Sequence, residues 1–467
     1  MLPFFPQQFS TKAIAIYLGV LTVISVVFFS HAMSWEFIVM GIVWVVGFFL
    51  LSNSCSTKWR TFPRKRFVSA IFYSALGIRI VWVLFSYLFY TLKTGIPFEF
   101  EAADSLVYWD SGYDLSRLKF PELIRALFPS GGNWSDSGYV FYLALLCKLT
   151  GQSILIPRLI KALIGAVTVL LIFRLAERNI GDEGARMAGI FACFMPNLIV
   201  YCGLHLKETE MLFLMVAYLE RADYMLRSKK YNVITIAVPV LLALSLFTFR
   251  TVLGGAAIFS FATAIVFTST GIIGKKKRAM LIVWGVLAAT LLAGGTIVNE
   301  AEGYWESRNE NQVTKREYQT KMGNKWAKYA TGTVMAPMIF VLPFPTMVHA
   351  AEQYNQEVLS GGNYVRNFLG AFVLIALFSA IFVTKNWRDL SLLGSFVIAY
   401  LGIISTSGFA NSERFLLPGL PVLLIMAAYG VTLLDAKSYK FVKIWYWVVP
   451  LMAFGWAFFK LGSRGLF

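Results

Sequence analysis

The sequence predicts an all-α polytopic membrane protein with about thirteen transmembrane helices, and three observations carry that prediction. The 467 residues are 58% hydrophobic and 14% charged, about half of the roughly 25% charge that covers a soluble domain. Apolar runs of about 20 residues, the length that crosses a hydrocarbon core, recur along the chain. Basic residues cluster in alternate connections between those runs, as retained cytoplasmic loops do. The clustering also accounts for the net charge of +17, so nucleic acid is not an expected partner. The same composition excludes disorder, a coiled coil and a disulfide scaffold.

Residues 1–91 carry the first three spans, at 13–31, 35–52 and 67–91. The first run starts near Ile14 and continues for a full span, so it reads as a retained helix and not a cleaved signal. A connection at 92–155 follows, rich in acids (Glu99, Glu101, Asp104, Asp110, Asp114, Glu122, Asp136). Within it, 138–150 is apolar but too short to span, and reads as a helix lying in the membrane interface. Residues 156–298 form a core of spans at 156–173, 185–203, 207–222, 231–249, 252–272 and 280–298. A second long connection, 299–365, contains Pro337, Pro343 and Pro345, which favour an interfacial or re-entrant piece over a spanning helix at 333–350. The C-terminal unit, 366–467, holds spans at 366–384, 389–405, 416–434 and 443–461. Basic clusters at 58–66, 174–186, 221–230, 275–278, 385–388 and 437–443 fit one assignment of sides. In it the N-terminus is cytoplasmic, and both long connections and the C-terminus lie outside.

Asp104 emerges within a few residues of the third span, at the depth of a lipid phosphate. A carboxylate there can deprotonate an acceptor hydroxyl, which is general-base work within reach of Asp or Glu. The bland alternative is a solvated acidic loop. The string His205-Leu206-Lys207-Glu208-Thr209-Glu210 puts charges where a helix begins. Its acids and Thr209 could simply cap that helix. His205 reads as a hydrogen-bonded interface residue. Cys55, Cys147, Cys193 and Cys202 show no metal-ligand or redox spacing and read as packing residues. No zinc spacing appears, and whether Asp104, Asp110, Asp114 and Asp136 share Mg²⁺ or Mn²⁺ depends on convergence that spacing does not show. No repeat of 20–50 residues and no inverted pair of broken helices of the transporter kind is present. Asn133-Trp134-Ser135 is a glycosylation sequon, relevant in a eukaryotic host.

Four stretches together resemble the GT-C superfamily of membrane glycosyltransferases, in its protein O-mannosyltransferase and aminoarabinose-transferase-like branch. Asp104-Ser105-Leu106-Val107-Tyr108 resembles the family's Asp-x-x-x-Tyr after the helix preceding the first outer loop. Gly138-Tyr139-Val140-Phe141-Tyr142 through Leu149-Thr150-Gly151 resembles its interfacial helix. Pro157-Arg158-Leu159 through Ala176 and Ile180-Gly181 resembles the span after that helix, and Glu413-Arg414-Phe415-Leu416-Leu417-Pro418 a late Arg-Tyr-x-Leu-Pro motif. The matches cover roughly 95–210 and 405–430. Two features depart from the pattern. Trp134-Ser135-Asp136-Ser137-Gly138 keeps an acid but lacks the Lys-Pro-Pro string of the aminoarabinose branch, and Ser105 replaces the second acid of the mannosyltransferase pair.

The resemblance implies an inverting transfer from a polyprenyl-phosphate-linked sugar to a lipid, glycan or protein hydroxyl at the periplasmic face of a bacterial inner membrane. It makes Asp104 the catalytic base and puts Tyr108 and Asp136 beside the substrate. With the family's Lys missing, another cation must hold the donor phosphate, whose charge grows as the glycosidic bond breaks. Arg158, Lys207, Arg250 and Arg414 lie near outer helix ends, where an ionisable group is costly unless paired or working. Arg250 and Arg414 lead, against snorkelling or, for Arg414, a structural pair with Glu413. Lys207 on the phosphate and Glu208 or Glu210 on sugar hydroxyls complete the expected substrate contacts. No cofactor is required. Two other readings stay open: a polyprenyl-linked glycan polymerase or ligase, and a transporter or flippase.

Overall fold

The computed structural model describes residues 4–129, 134–228, 232–267, 281–282, 284–286, 345–349, 354–406, 413–462 and 466. Among these the chain is a bundle of helices with no strand, apart from one isolated bridge between Ala32 and Val348. Helices α1 (Gln7–Val27), α2 (Trp35–Trp59) and α3 (Arg64–Thr94) form an up-down-up unit. Pro6 and Pro63 precede α1 and α3, and Gly95 ends α3 in the left-handed region at φ 79°, where glycine has no Cβ penalty. Three shorter helices follow: α4 (Ala103–Ser116), α5 (Phe120–Leu127) and α6 (Ser137–Thr150). The core then continues through α7 (Leu155–Phe194), α8 (Glu208–Arg227), α9 (Val233–Phe249) and α10 (Thr251–Phe267). The C-terminal unit comprises α11 (Ser360–Phe378), α12 (Ser391–Thr406), α13 (Leu420–Thr432) and α14 (Ala436–Gly462).

Seven of the described helices are long and apolar enough to cross a membrane: Gln7–Val27, Trp35–Trp59, Arg64–Thr94, Leu155–Phe194, Ser360–Val383, Glu413–Thr432 and Ala436–Gly462. Four more, Ser137–Thr150, Val233–Phe249, Thr251–Phe267 and Ser391–Ile404, are apolar but shorter. The predicted 156–173 and 185–203 segments are corrected. Residues 174–180, rich in good helix formers, continue α7 past its expected end, and the chain bends at Gly181 (φ 79°). A second break falls inside the expected 185–203 span, because Pro196 forces Met195 into the extended region. The predicted 280–298 span is described only at 281–282 and 284–286, which are helical. The cluster at 275–278 lies outside the described residues, as does all of 299–365 except 345–349 and 354–365. Residues 345–349 run extended beside the α1–α2 connection, with His349 N donating to His31 O at 2.7 Å.

The break at Pro196 strands backbone acceptors in the interior. Proline has no N–H, so the Ala192 carbonyl loses its helical donor. Arg79, on α3 and 1% exposed, takes over that role. Its guanidinium donates to Ala192 O (3.2 Å), Cys193 O (3.3 Å) and Ala75 O (3.1 Å). A cation inside the apolar bundle is thus a structural cap. Close helix approach is set by glycine elsewhere: a Cβ on Gly430 of α13 would run into the Phe372 carbonyl of α11, and one on Gly138 of α6 into Thr248 of α9.

The described basic clusters converge at one end. Arg64 chelates Glu177 with Nε and Nη2, both at 2.7 Å. Arg186 donates to Phe62 O (2.8 Å), and Arg178 spans Glu220 and Asp223 (2.8 and 2.7 Å). Arg227 reaches Asn179 (3.0 Å) and Asp389 O (3.3 Å). Because consecutive helices alternate in direction, the 95–104, 205–210, 250 and 413–414 turns meet at the opposite end.

Candidate functional site

The site forms where four chain reversals converge. After Gly95 the chain turns through 96–102 and starts α4, which places Asp104 in that helix's first turn, where the helix dipole favours a carboxylate. The α7 break delivers residues 201–207 to the same place, and α8 begins at Glu208. Arg250 occupies the extended residue between α9 and α10, and the short Glu413–Leu416 turn supplies Arg414.

Arg414 joins two elements: its Nη1 donates to Asp104 Oδ2 and its Nε to Glu208 Oε1. Glu208 is fully buried between two guanidinium groups, since Arg250 Nη2 lies 3.7 Å from the same oxygen. Arg250 also donates to Tyr400 Oη at 3.2 Å and stacks over the Phe415 ring at 4.4 Å. Beside this chain, Lys207 pairs with Asp136 and donates to Phe249 O at 2.7 Å. Tyr108 Oη donates to Asp136 Oδ2 at 3.0 Å. Burial pushes the Tyr108 phenol up to about 12, with the Arg414 charge acting against that rise, so it stays a proton donor. Asp136 sits at φ 76°, a left-handed position that Asp tolerates.

Seven of the eight residues singled out from sequence therefore meet: Asp104, Tyr108, Asp136, Lys207, Glu208, Arg250 and Arg414. Arg158 stands apart. It is fully buried, donates to Pro97 O and lies 5.7 Å from the Phe98 ring centre. Asp104 is the most open of the six charged partners, with 59% of its side chain exposed against 18% for Arg414 and 0% for Glu208.

Four sequence readings are corrected. Glu413 does not satisfy Arg414: it accepts from Arg366 Nη2 and Asn197 Nδ2, each at 2.6 Å, because the short turn sends adjacent side chains in different directions. Glu208 and Thr209 do not cap α8, whose N-cap is Lys207 with no side-chain cap bond. His205 makes no hydrogen bond. It is fully buried edge-on to Phe98 and Trp109, and burial, followed by the Lys161 and Arg158 charges, holds its imidazole well below the usual histidine range. Glu210 faces Lys161 at 3.4 Å and not the cluster.

Sequence reasoning missed Arg366, Asn197 and Lys161. Arg366 and Lys161 could have been found as ionisable residues inside apolar runs, which require a partner. Among the described residues no group of three or more His, Cys, Asp or Glu side chains is arranged to hold a metal ion. Three of the four cysteines are buried and all are free.

A cavity of ≈ 290 Å³ opens beside the cluster, with Glu99, Asp104, Tyr201, Asn355, Glu413 and Arg414 on its wall. A recess bordered by a partly exposed carboxylate and a guanidinium can bind a polar group and accept a proton from it. No protein-family model, curated protein or solved structure matches the chain.

Proposed function

We propose that the chain is an integral-membrane glycosyltransferase that uses a polyprenyl-phosphate-linked sugar and transfers it, with inversion, to an acceptor hydroxyl. The observation that carries this reading is the Asp104–Arg414–Glu208–Arg250 chain at the end of the bundle opposite the basic clusters, bordering a polar cavity. With about thirteen spans and the positive-inside rule, that end faces the periplasm of a bacterial inner membrane.

In this mechanism Asp104 accepts the proton of the acceptor hydroxyl while that oxygen attacks the anomeric carbon. The new carbon–oxygen bond forms as the bond to the phosphate oxygen breaks, and one displacement inverts the centre. The departing lipid phosphate gains negative charge, which Arg414 and Arg250 are placed to stabilise. Arg414 holds Asp104 in the free protein, so a phosphate that engages Arg414 also releases the base. Glu208 keeps both guanidinium groups in register, and Tyr108 and Lys207 fix the Asp136 side of the site.

The test is direct. Purified protein in nanodiscs, supplied with a panel of polyprenyl-phosphate sugars and membrane-extracted acceptors, should release polyprenyl phosphate. The Asp104→Asn variant should bind the donor and release none. Release by that variant at the wild-type rate rejects Asp104 as the base, and no release by wild type across the panel rejects the glycosyltransferase reading.

A further inference from the structure

The cavity wall is unusual in which of its hydrogen-bonding groups are already used. Glu413 spends both carboxylate oxygens on Arg366 and Asn197. Arg414, the single cation on the described wall, is held by Asp104 and Glu208. Among the buried side-chain atoms of the lining residues, two have no partner, and both are acceptors: Glu99 Oε2 and Asn355 Oδ1. Glu99 is 4% exposed, with its other oxygen taking the Ser105 hydroxyl, and Asn355 already donates its amide to Phe100 O. A buried carboxylate oxygen with no donor is costly, and the cost disappears when a ligand supplies one.

We propose that Glu99 and Asn355 form a hydroxyl-reading wall, binding the donor groups of a neutral or amino sugar and rejecting a sugar that carries its own carboxylate. This rests on the glycosyltransferase reading for the identity of the ligand as a sugar, and adds to it which sugars enter. Sugar hydroxyls donate as well as accept, so one ring can satisfy both orphaned acceptors. Bonds to an ionised carboxylate are the stronger kind, which makes Glu99 the larger contributor. Electrostatics point the same way. Of the four carboxylates on the described wall, Glu413 is met by Arg366, Asp104 by Arg414, and Glu99 feels the Arg158 charge behind it; the wall's one cation is thus already held, while a ligand carboxylate would meet these acids at close range in a partly desolvated recess. The cavity of ≈ 290 Å³ has room for a sugar ring.

The full chain in nanodiscs is titrated with three methyl glycosides (a neutral hexoside, a 2-amino-hexoside and a hexuronoside) by saturation-transfer NMR. A polyprenyl phosphate without a sugar is titrated separately. The expected result is that the neutral and amino glycosides bind at least about tenfold more tightly than the uronoside. Glu99→Gln should weaken the neutral glycoside by about tenfold or more, and Asn355→Leu by less, with polyprenyl phosphate binding unchanged in both. Uronoside binding equal to that of the neutral glycoside, or full neutral-glycoside binding by both variants, overturns the proposal. Should Glu99→Gln fail to fold, the wild-type ratio of neutral to uronic binding decides. Polyprenyl phosphate binding without any glycoside binding removes the hydroxyl-reading wall and leaves the lipid-linked donor standing. The reverse outcome removes the lipid-linked donor and keeps the wall, and binding of neither removes both.

Discussion

The two charged ends of the bundle use the same residue types to opposite effect. At the basic end, Arg64 meets Glu177 with 57% of its side chain exposed, and Arg186 meets Asp182 one helical turn away, with 44% of that carboxylate exposed. Such pairs sit in high dielectric and contribute little each. At the other end, Glu208 is fully buried between Arg250 and Arg414, both largely withdrawn from solvent. Here each charge needs its partner, since a buried ion left alone is expensive. The contrast teaches that charge count does not locate a site, and neither does burial alone, since Arg178 meets the buried Glu220 and Asp223 at the basic end; what distinguishes the second end is a buried cluster that borders a polar cavity.

Four measurements break or sharpen that contrast. The largest effect is expected from Asp104→Asn, which keeps shape and hydrogen bonding but cannot take a proton. Turnover should fall about 10²–10⁴-fold, while the unfolding midpoint in detergent stays near wild type because Asp104 is more than half exposed. Retention of more than about a tenth of wild-type turnover would remove Asp104 as base and make Asp136 the next carboxylate to test. Next, Glu208→Ala should cost about 3–5 kcal/mol in a denaturant titration, as it leaves the buried Arg250 guanidinium without its carboxylate and Arg414 with Asp104 alone. The same experiment on Glu177→Ala should cost less than about 1 kcal/mol; equal costs would erase the distinction between the ends.

A smaller loss is expected from Arg79→Met, at about 1–3 kcal/mol, because it leaves the Ala192 carbonyl without a donor. Activity per folded molecule should be preserved, which marks Arg79 as structural despite its depth. The smallest effect is a pH slope. His205 is held neutral, with its folded pKa below the usual 6.5. The unfolded chain therefore binds the extra proton first, and the stabilisation present above pH 6.5 is lost as pH falls toward the folded value. His205→Phe keeps the contacts with Phe98 and Trp109 and should flatten that acid-side slope by at most about 1.4 kcal/mol per pH unit. An unchanged slope would assign the acid sensitivity to other groups.

Helix positions were legible because hydropathy alone dictates them. The runs at 35–52, 67–91 and 443–461 each fall inside an observed helix. The break at Met195–Pro196 was not anticipated, since an apolar run of adequate length hides a proline whose lost hydrogen bond is restored by Arg79, more than a hundred residues earlier. The site was partly legible. Asp104, Arg250 and Arg414 stand out as charges beside apolar runs, but their partners depend on which chain reversals meet. Nothing near Arg414 indicates Glu208 in place of the adjacent Glu413, a choice made by a single four-residue turn. Glu99 and Asn355 were invisible as a pair, because what sets them apart is a missing partner, and sequence does not record absences of that kind.

The Arg79 cap has a consequence for biosynthesis. Its acceptor Ala192 lies 113 residues downstream, and at about 5–20 residues per second the ribosome needs roughly 6–23 s to deliver it. For that interval α3 carries a cation in an otherwise apolar segment with only its own Ala75 carbonyl to receive it. Insertion of this helix is therefore chain-order dependent: α3 must linger beside the insertion machinery, or snorkel, until α7 arrives. A chain split between the two should leave its N-terminal fragment poorly integrated unless the C-terminal fragment is co-translated.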